Sequence, residues 1–310
     1  MQTSDRLSLE RIIVSDKLVS ERGLSVEPCV QDATRSNMHR TGLIVALFIA
    51  AGAGLVLSLF PEIDLWIAQA FYDVIDANDN AFTLTPTVST FGKFGTWFEI
   101  LLIALPVIAL ITKLFLPQTK MFISGRAAVF LILSYALGPG LLVNVALKDN
   151  WGRPRPVHIT HFGGDKRFTA FWDFRGVCQR NCSFVSGEAA SAAWTIAPAA
   201  LAPSSWRPLA YGAALTFYIV IALLRITVGA HFLSDIIFAG VLTFLIIWLM
   251  YALIFSWRST RLSDEAVENA LERFSSYCRS AMLRLIGRPA GQVRDAKDSN
   301  DSGASDGRLS

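Results

Sequence analysis

Cysteine is scarce in this chain. There are four in 310 residues, Cys29, Cys178, Cys182 and Cys278, with no CxxC pair and no paired metal-ligand cluster. The four histidines, His39, His158, His161 and His231, also lack tight metal spacing. No metal and no other cofactor is therefore expected. An excess of one charge is missing too. The net charge is +3, the basic residues are dispersed, and no zinc-finger or helix-turn-helix pattern occurs, which excludes a nucleic-acid partner. A cleavable leader is not expected either. Residues 1–40 are mixed and polar, and the apolar run after Arg40 has no small-residue cleavage site behind it, so it should stay as a membrane span. The sequence has no internal repeat, and no series of short alternating strands that a barrel would need.

What the chain has is apolar length. Hydrophobic residues make up 53% of it, and the mean hydropathy is +0.44. Several uncharged runs approach the roughly 20 residues that cross a bilayer. Six spans are expected, at about 41–60, 97–115, 127–147, 187–203, 209–224 and 232–255. Helices are the default for such runs. The first should end at Pro61, the third should kink at Pro139, and the fourth is short, rich in alanine and broken by Pro198. The expected fold is all-α, a six-transmembrane helix bundle occupying 41–256. A cytoplasmic segment, 1–40, precedes it, and an amphipathic helix with a disordered tail, 257–310, follows.

Basic residues in short loops set the orientation. Arg35 and Arg40 precede the first span, and Lys113, Lys120 and Arg126 surround the loop after the second. Arg207 lies between the fourth and fifth, and Arg258 and Arg261 follow the sixth. Both termini are then cytoplasmic, and loops 61–96, 148–186 and 225–231 face outward. Loop 148–186 opens with KDNWGRPRP and is strongly basic, yet it lies on the outer side. A charge that breaks the sorting trend points to a functional use. Trp97, Trp151, Trp172 and Trp257 are expected to mark the membrane interface. In the tail, Val267, Leu271, Phe274, Cys278, Met282 and Leu285 share one helical face, which either lies on the inner leaflet or packs on the bundle or on a second copy.

The outer loops converge chemically. Lys148, Arg155 and Arg225 supply positive charge, and arginine matches phosphate oxygens with a planar fork of donors. Ser186 and Gly187 would open a helix, whose free N–H groups favour an anion. His231 and Asp235 stand four apart, on one face if that stretch is helical, and a carboxylate beside an imidazole fixes its tautomer. That is what a histidine nucleophile toward phosphorus requires.

The order Lys-x6-Arg-Pro, then Ser-Gly, then Arg-x5-His-x3-Asp resembles the type 2 phosphatidic acid phosphatase superfamily, which also contains glucose-6-phosphatase and the vanadium haloperoxidases. The matching residues are Lys148, Arg155 and Pro156; Ser186 and Gly187; and Arg225, His231 and Asp235, within roughly 98–255. The resemblance implies a metal-independent phosphatase. His231 would form a phosphohistidine, Asp235 would orient it, and Lys148, Arg155, Arg225, Ser186 and the Gly187 N–H would hold the phosphoryl oxygens. Two departures stand out. The family's Pro-Ser-Gly-His is here Val185-Ser186-Gly187-Glu188, so the histidine that protonates the leaving group is replaced by Glu188. A carboxyl can serve as that acid only when protonated; it could instead act as a base toward water or bind a substrate hydroxyl or amine. His158 or His161 is a further replacement. The third motif also begins Leu224-Arg225 where the family has Ser-Arg. Cys178 and Cys182 lie in the outer loop, where a disulfide would tighten the turn before Ser186 unless so short a pair fails on geometry. This pair, with the Ser-Gly-Glu variant, is similar to some lipid A 4′-phosphatase-like members. The implied partner is a phosphorylated lipid of the bilayer, lipid A 4′-phosphate first, then phosphatidylglycerol phosphate, phosphatidic acid and undecaprenyl diphosphate. In a Gram-negative cell the site would be periplasmic, on the inner membrane. Phosphotransfer to another acceptor and a non-catalytic lipid binder are the competing expectations.

Overall fold

The computed structural model describes residues 27–76, 79–82, 86–257, 259–260 and 262–285. The expectation of a disordered tail at 290–310 lies outside those residues, as does most of the expected N-terminal segment.

Helix α1, Glu27–Leu59, is continuous through the boundary expected after Arg40. Its second residue is Pro28, a position where the missing N–H has no partner to lose, and no later residue breaks it before Pro61. A short helix, α2 (Glu62–Gln69), turns back over the end of the bundle. An antiparallel hairpin follows, β1 (Tyr72–Asp76) paired with β2 (Asp79–Phe82), with Tyr72 opposite Phe82. It departs from the all-helical expectation. Its sequence, YDVIDANDNAF, carries the Asp and Asn residues that favour turns.

Then come α3 (Pro86–Phe115), which starts well before the expected Trp97, and α4 (Gly125–Tyr135), whose first turn is capped by Ser124 Oγ accepting from the Ala127 N–H at 3.4 Å. At Pro139, where a kink is expected, the helix widens to i→i+5 winding over Ala136–Leu147. Proline has no N–H to give, and the wider turn reroutes the bonding; Asn144 Nδ2 donates to the Pro139 carbonyl at 2.8 Å.

The fourth expected span, 187–203, is built differently. It forms two short helices, α5 (Gly187–Trp194) and α6 (Ile196–Ala200), meeting at Thr195. Ala189 through Trp194 are buried. Small side chains let neighbouring helices approach closely here, so the segment hides from lipid and needs little hydropathy of its own. Helices α7 (Arg207–Thr227) and α8 (Leu233–Tyr251, widening over Ala252–Ser256) complete the bundle. Among the described residues five helices are long and apolar enough to cross a bilayer: Arg40–Leu59, Thr90–Phe115, Gly125–Leu147, Arg207–Thr227 and Leu233–Ser256. The protein is a multi-pass membrane protein.

Helix α9, Asp264–Leu285, packs on the bundle. Lys113 pairs with Glu268 at 3.3 Å and Glu272 at 2.8 Å, and Arg126 with Asp264 at 3.1 Å. Val267 is buried against Gly125, where a Cβ would come within 2.9 Å of it. Phe274, Tyr277 and Met282 stay exposed. Of the two readings of its apolar face, contact with the bundle holds at the start of the helix.

Two cores stack along the bundle. One, at the end carrying α9, joins Phe130, Trp194, Ala197, Ile247, Met250 and Tyr251. The other joins Val143, Phe184, Val185, Ala189, Ile226 and Ile236 beneath the loops at the opposite end. A third cluster, Ala68, Phe82, Ile159, Phe162 and Phe232, glues α2 and the hairpin to those loops.

Candidate active site

The centre of the loop end is a buried ion network. Asp235, 0% exposed, stands in the first turn of α8. Its Oδ1 accepts from Arg153 Nη1; its Oδ2 accepts from Ser183 Oγ and, at 2.8 Å, from the Phe232 N–H. Arg153 is also 0% exposed. It donates to Asp64 Oδ2 at 2.7 Å, to Ser234 Oγ at 2.6 Å and, through Nε, to the Thr169 carbonyl at 2.9 Å. Asp64 in turn accepts from the Ser234 N–H at 2.9 Å. The Phe232 ring lies 4.3 Å from the guanidinium carbon. Every charge here has an opposite partner and fixed donors, as burial demands.

His231, 1% exposed, sits beside this network. Its Nδ1 is 2.8 Å from the Ser183 carbonyl and 3.8 Å from Asp235 Oδ2. A carbonyl only accepts, so Nδ1 carries the proton and Nε2 the lone pair. The direct His231–Asp235 contact expected from spacing is thus relayed by Ser183, which offers its carbonyl to one and its hydroxyl to the other. Burial pushes the His231 imidazole below its ordinary value. Arg155 and Arg225 push the same way, against Asp235. The turn leading to His231 passes through Gly229 at φ +62, where a Cβ would fall 2.3 Å from the Phe82 ring. Only glycine fits that conformation and that gap.

The remaining predicted residues gather above. Lys148 ends the widened helix, and Ser186 caps α5, its Oγ accepting from the Ala189 N–H at 3.3 Å. A Cβ on Gly187 would lie 3.3 Å from Lys148 Nζ and 2.5 Å from Asn144 Oδ1, so the bare glycine lets the lysine reach the helix start. Arg155 is held by Asn181, through Nε to the carbonyl at 3.2 Å and through Nη2 to Oδ1 at 2.8 Å. Arg225, in the last turn of α7, forms an ion pair with Glu188, whose side chain is 47% exposed. Burial lowers the Lys148 ammonium from its ordinary value, and the neighbouring Arg155 and Arg225 add to this. Such crowded cations favour a bound anion. A cavity of about 450 Å³ opens beside them, lined by Arg155, Arg225, Glu188, His158, Lys93 and Glu99. His161 does not line it.

Sequence reasoning missed Asp64, Arg153, Ser183, Asn181 and Glu99. Arg153 matches no motif position, yet it lies at the centre of the buried network. Its Arg-Pro dipeptide directly precedes Arg155-Pro156. Arg153 turns inward to Asp64 and Asp235, whereas Arg155 lines the cavity. Trp151 stacks on Phe184 at 4.4 Å and donates Nε1 to the Phe171 carbonyl at 2.6 Å.

The profile of the PAP2 superfamily matches residues 127–259. A lipid A 4′-phosphatase of Francisella tularensis subsp. novicida (strain U112) is 34% identical over 224 residues, covering 70% of this chain and 98% of that protein. The chain belongs to the PAP2 superfamily. It is a membrane phosphatase, a phosphoric monoester hydrolase. A lipid A 4′-phosphatase of Rhizobium leguminosarum is 34% identical over 193 residues, covering 59% of this chain and 83% of that protein. The crystal structure of a transmembrane PAP2-type phosphatidylglycerolphosphate phosphatase from Bacillus subtilis aligns with a TM-score of 0.43 at 18% identity, covering 69% of this chain and 94% of that one.

In this PAP2 phosphatase the cysteine pair is a disulfide, Cys178–Cys182. It closes the turn that carries Asn181, which adopts φ 53 and donates its N–H to Asp149 Oδ1 at 3.0 Å. The turn is laid on the first motif by Cys178 N–H to Gly152 O at 2.9 Å, Cys182 N–H to Lys148 O at 3.0 Å and Ser183 N–H to Arg153 O at 2.8 Å. The bridge therefore braces Asn181 against Arg155. Closing so short a loop contributes about 2 kcal/mol by the chain-entropy relation. Cys178→Ser with Cys182→Ser is expected to raise KM several-fold while lowering kcat less. Steady-state kinetics of the double variant and of dithiothreitol-treated wild type check this, and both should agree.

Proposed function

We propose that this membrane phosphatase removes the 4′-phosphate of lipid A at the periplasmic face of the inner membrane, through a phosphohistidine on His231. The carrying observation is the convergence of Lys148, Arg155, Arg225 and the α5 N-terminus on one end of the bundle, beside a histidine whose Nδ1 is already committed to a carbonyl. The substrate is taken from the names of the Francisella and Rhizobium relatives.

The chemistry follows from the geometry. Neutral His231 presents Nε2 to phosphorus, an N–P bond forms, and the P–O bond to the sugar breaks. Lys148, Arg155 and Arg225 neutralise the phosphoryl oxygens as charge spreads over them. The Ser186 hydroxyl, whose oxygen already accepts from Ala189, has its proton free to donate, and the Gly187 N–H points along the helix axis toward the same anion. The new positive charge on the imidazole is stabilised by Asp235 and by the Ser183 carbonyl. Glu188 holds the Arg225 guanidinium across the cavity. Water then attacks phosphorus and releases His231 and inorganic phosphate.

For the membrane frame, we place the site end outside and the α9 end in the cytoplasm, with both termini cytoplasmic and the bundle domain at 41–256. One feature supports six crossings: segment α5–α6 starts at the site end, at Ser186, and its Ala197 and Ala200 lie in the core at the other end. Basic Lys113 and Arg126 sit at that other end, which supports the orientation.

The test is phosphate release by the purified protein in detergent with EDTA present, offering lipid A, phosphatidic acid, phosphatidylglycerol phosphate and undecaprenyl diphosphate. The expected result is release from lipid A at least tenfold faster in kcat/KM than from the others. A phosphorylated product without free phosphate would make the protein a transferase, and no turnover of any lipid would make it a lipid binder.

The acid limb of activity is a second check. A nucleophilic imidazole must be unprotonated, and burial holds that of His231 below about 6.5, the ordinary histidine value. With the substrate's own ionisation corrected for, the acid limb of kcat/KM should be centred below about 6.5. A limb centred above it would contradict the assignment.

A further inference from the structure

The family's leaving-group acid is missing from the second motif, and the cavity offers three replacements. Glu188 occupies the position, but its carboxylate is committed to the Arg225 guanidinium and is 47% exposed. His158 lines the cavity, but burial together with Lys166 and Arg155 lowers its imidazole, which disfavours the imidazolium form an acid would need. The third is Glu99. It lies on α3, between the lipid-exposed Phe98 and Ile100, inside the span Thr90–Phe115, and is 6% exposed. It lines the same cavity as Arg155, Arg225 and Glu188. Among the described residues no hydrogen bond or ion pair holds its carboxyl, unlike the buried carboxylates Asp64 and Asp235. Thr96 and Lys93 line the cavity from the same helix, so the stripe bearing Glu99 turns toward the site and away from lipid. An ionisable side chain in a span, facing an aqueous cavity and unpaired, marks function more often than structure.

We propose that Glu99 is the catalytic acid and base that replaces the motif histidine, resting on the reading of His231 as nucleophile. In the first step the His231 Nε2–P bond forms, the P–O bond to the leaving group breaks, and the Glu99 carboxyl proton passes to that oxygen, giving the free hydroxyl and a Glu99 carboxylate. In the second, water attacks phosphorus, its proton returns to Glu99, the N–P bond breaks, and hydrogen phosphate leaves with neutral His231 restored. No other reactant is needed. Glu188 then has a positioning role, through Arg225.

An acid is needed only when the leaving group is poor. The experiment compares lipid A or dodecyl phosphate, which leave as alkoxides unless protonated, with a long-chain nitrophenyl phosphate, whose phenolate leaves unaided. Glu99→Gln is expected to lower kcat on the alkyl substrates by roughly 10²-fold or more, the usual contribution of a positioned acid, and on the aryl substrate by less than about threefold. Glu188→Gln and His158→Gln should move both substrates by the same factor. Glu99→Asp keeps a carboxyl and should recover part of the alkyl turnover. Three outcomes overturn the proposal. One is an equal loss on both substrates in a Glu99→Gln protein that melts like wild type. Another is a raised KM with kcat retained, which would make Glu99 a headgroup contact. The third is leaving-group dependence appearing in Glu188→Gln instead. Failure of the broader reading looks different: the wild type would release phosphate from neither substrate, or His231→Gln would match it, and the proposal would fall with that reading.

Discussion

His231→Gln should reduce phosphate release by a factor on the order of 10⁵ or more, as removal of a covalent nucleophile does elsewhere. The expected protein still folds. The replacement stays polar and close in size, and it leaves Arg153, Asp64 and Asp235 as they are. The partner measurement is trapping. Wild type quenched during turnover of ³²P-labelled lipid should carry label that is stable to base and labile to acid, the behaviour of a phosphoramidate bond, and the variant should carry none. Label that survives in the variant would move the nucleophile elsewhere.

The second large effect is expected at Arg153. Methionine there fills much of the space and removes the charge. Asp64 and Asp235 would then face each other's neighbourhood without their shared cation, and Ser234 would lose a donor. Removing one partner of a buried pair costs about 3–5 kcal/mol, which corresponds to a fall in Tm of roughly 10 °C for a protein of this size. Activity should fall as well, because Asp235 and Ser183 together hold His231. Lysine should not rescue, since one ammonium cannot span both carboxylates as the guanidinium fork does. Arg153→Met combined with Asp64→Asn should recover part of the lost Tm. Thermal unfolding in detergent, read by intrinsic fluorescence, checks all three; full stability in Arg153→Met would mean the network does not anchor the loop end.

The parts of this site that the sequence displayed are the parts fixed by local spacing. Lys148 and Arg155, Ser186 and Gly187, and Arg225, His231 and Asp235 each lie within one motif, and the structure gathers them at one end. The parts it hid depend on distance. Asp64 is 89 residues from Arg153, on a short helix after the first span, and nothing in PEIDLWIAQAF announces a partner so far away. Glu99 lies in a run that hydropathy reads simply as membrane. The helix at 187–200 was hard to see for the opposite reason. Its alanines are buried among other helices, so the segment escapes the need for lipid-facing apolar residues that hydropathy detects. The hairpin escaped because five residues of strand beside four are too short for alternation to stand out.

Helix α9 has a bearing on how the chain can be cut and fused. Lys113 is 5% exposed, and its carboxylate partners are Glu268 and Glu272, both C-terminal to the last span. Ser275 Oγ donates to the Leu114 carbonyl at 2.6 Å, closing the same contact further along. A chain shortened at Ser256 would keep every motif residue and yet expose an orphan ammonium at the foot of α3, the helix that carries Glu99. Such a shortening reaches the proposed site end through α3, whereas a reporter attached beyond Leu285 leaves the Lys113 contact in place.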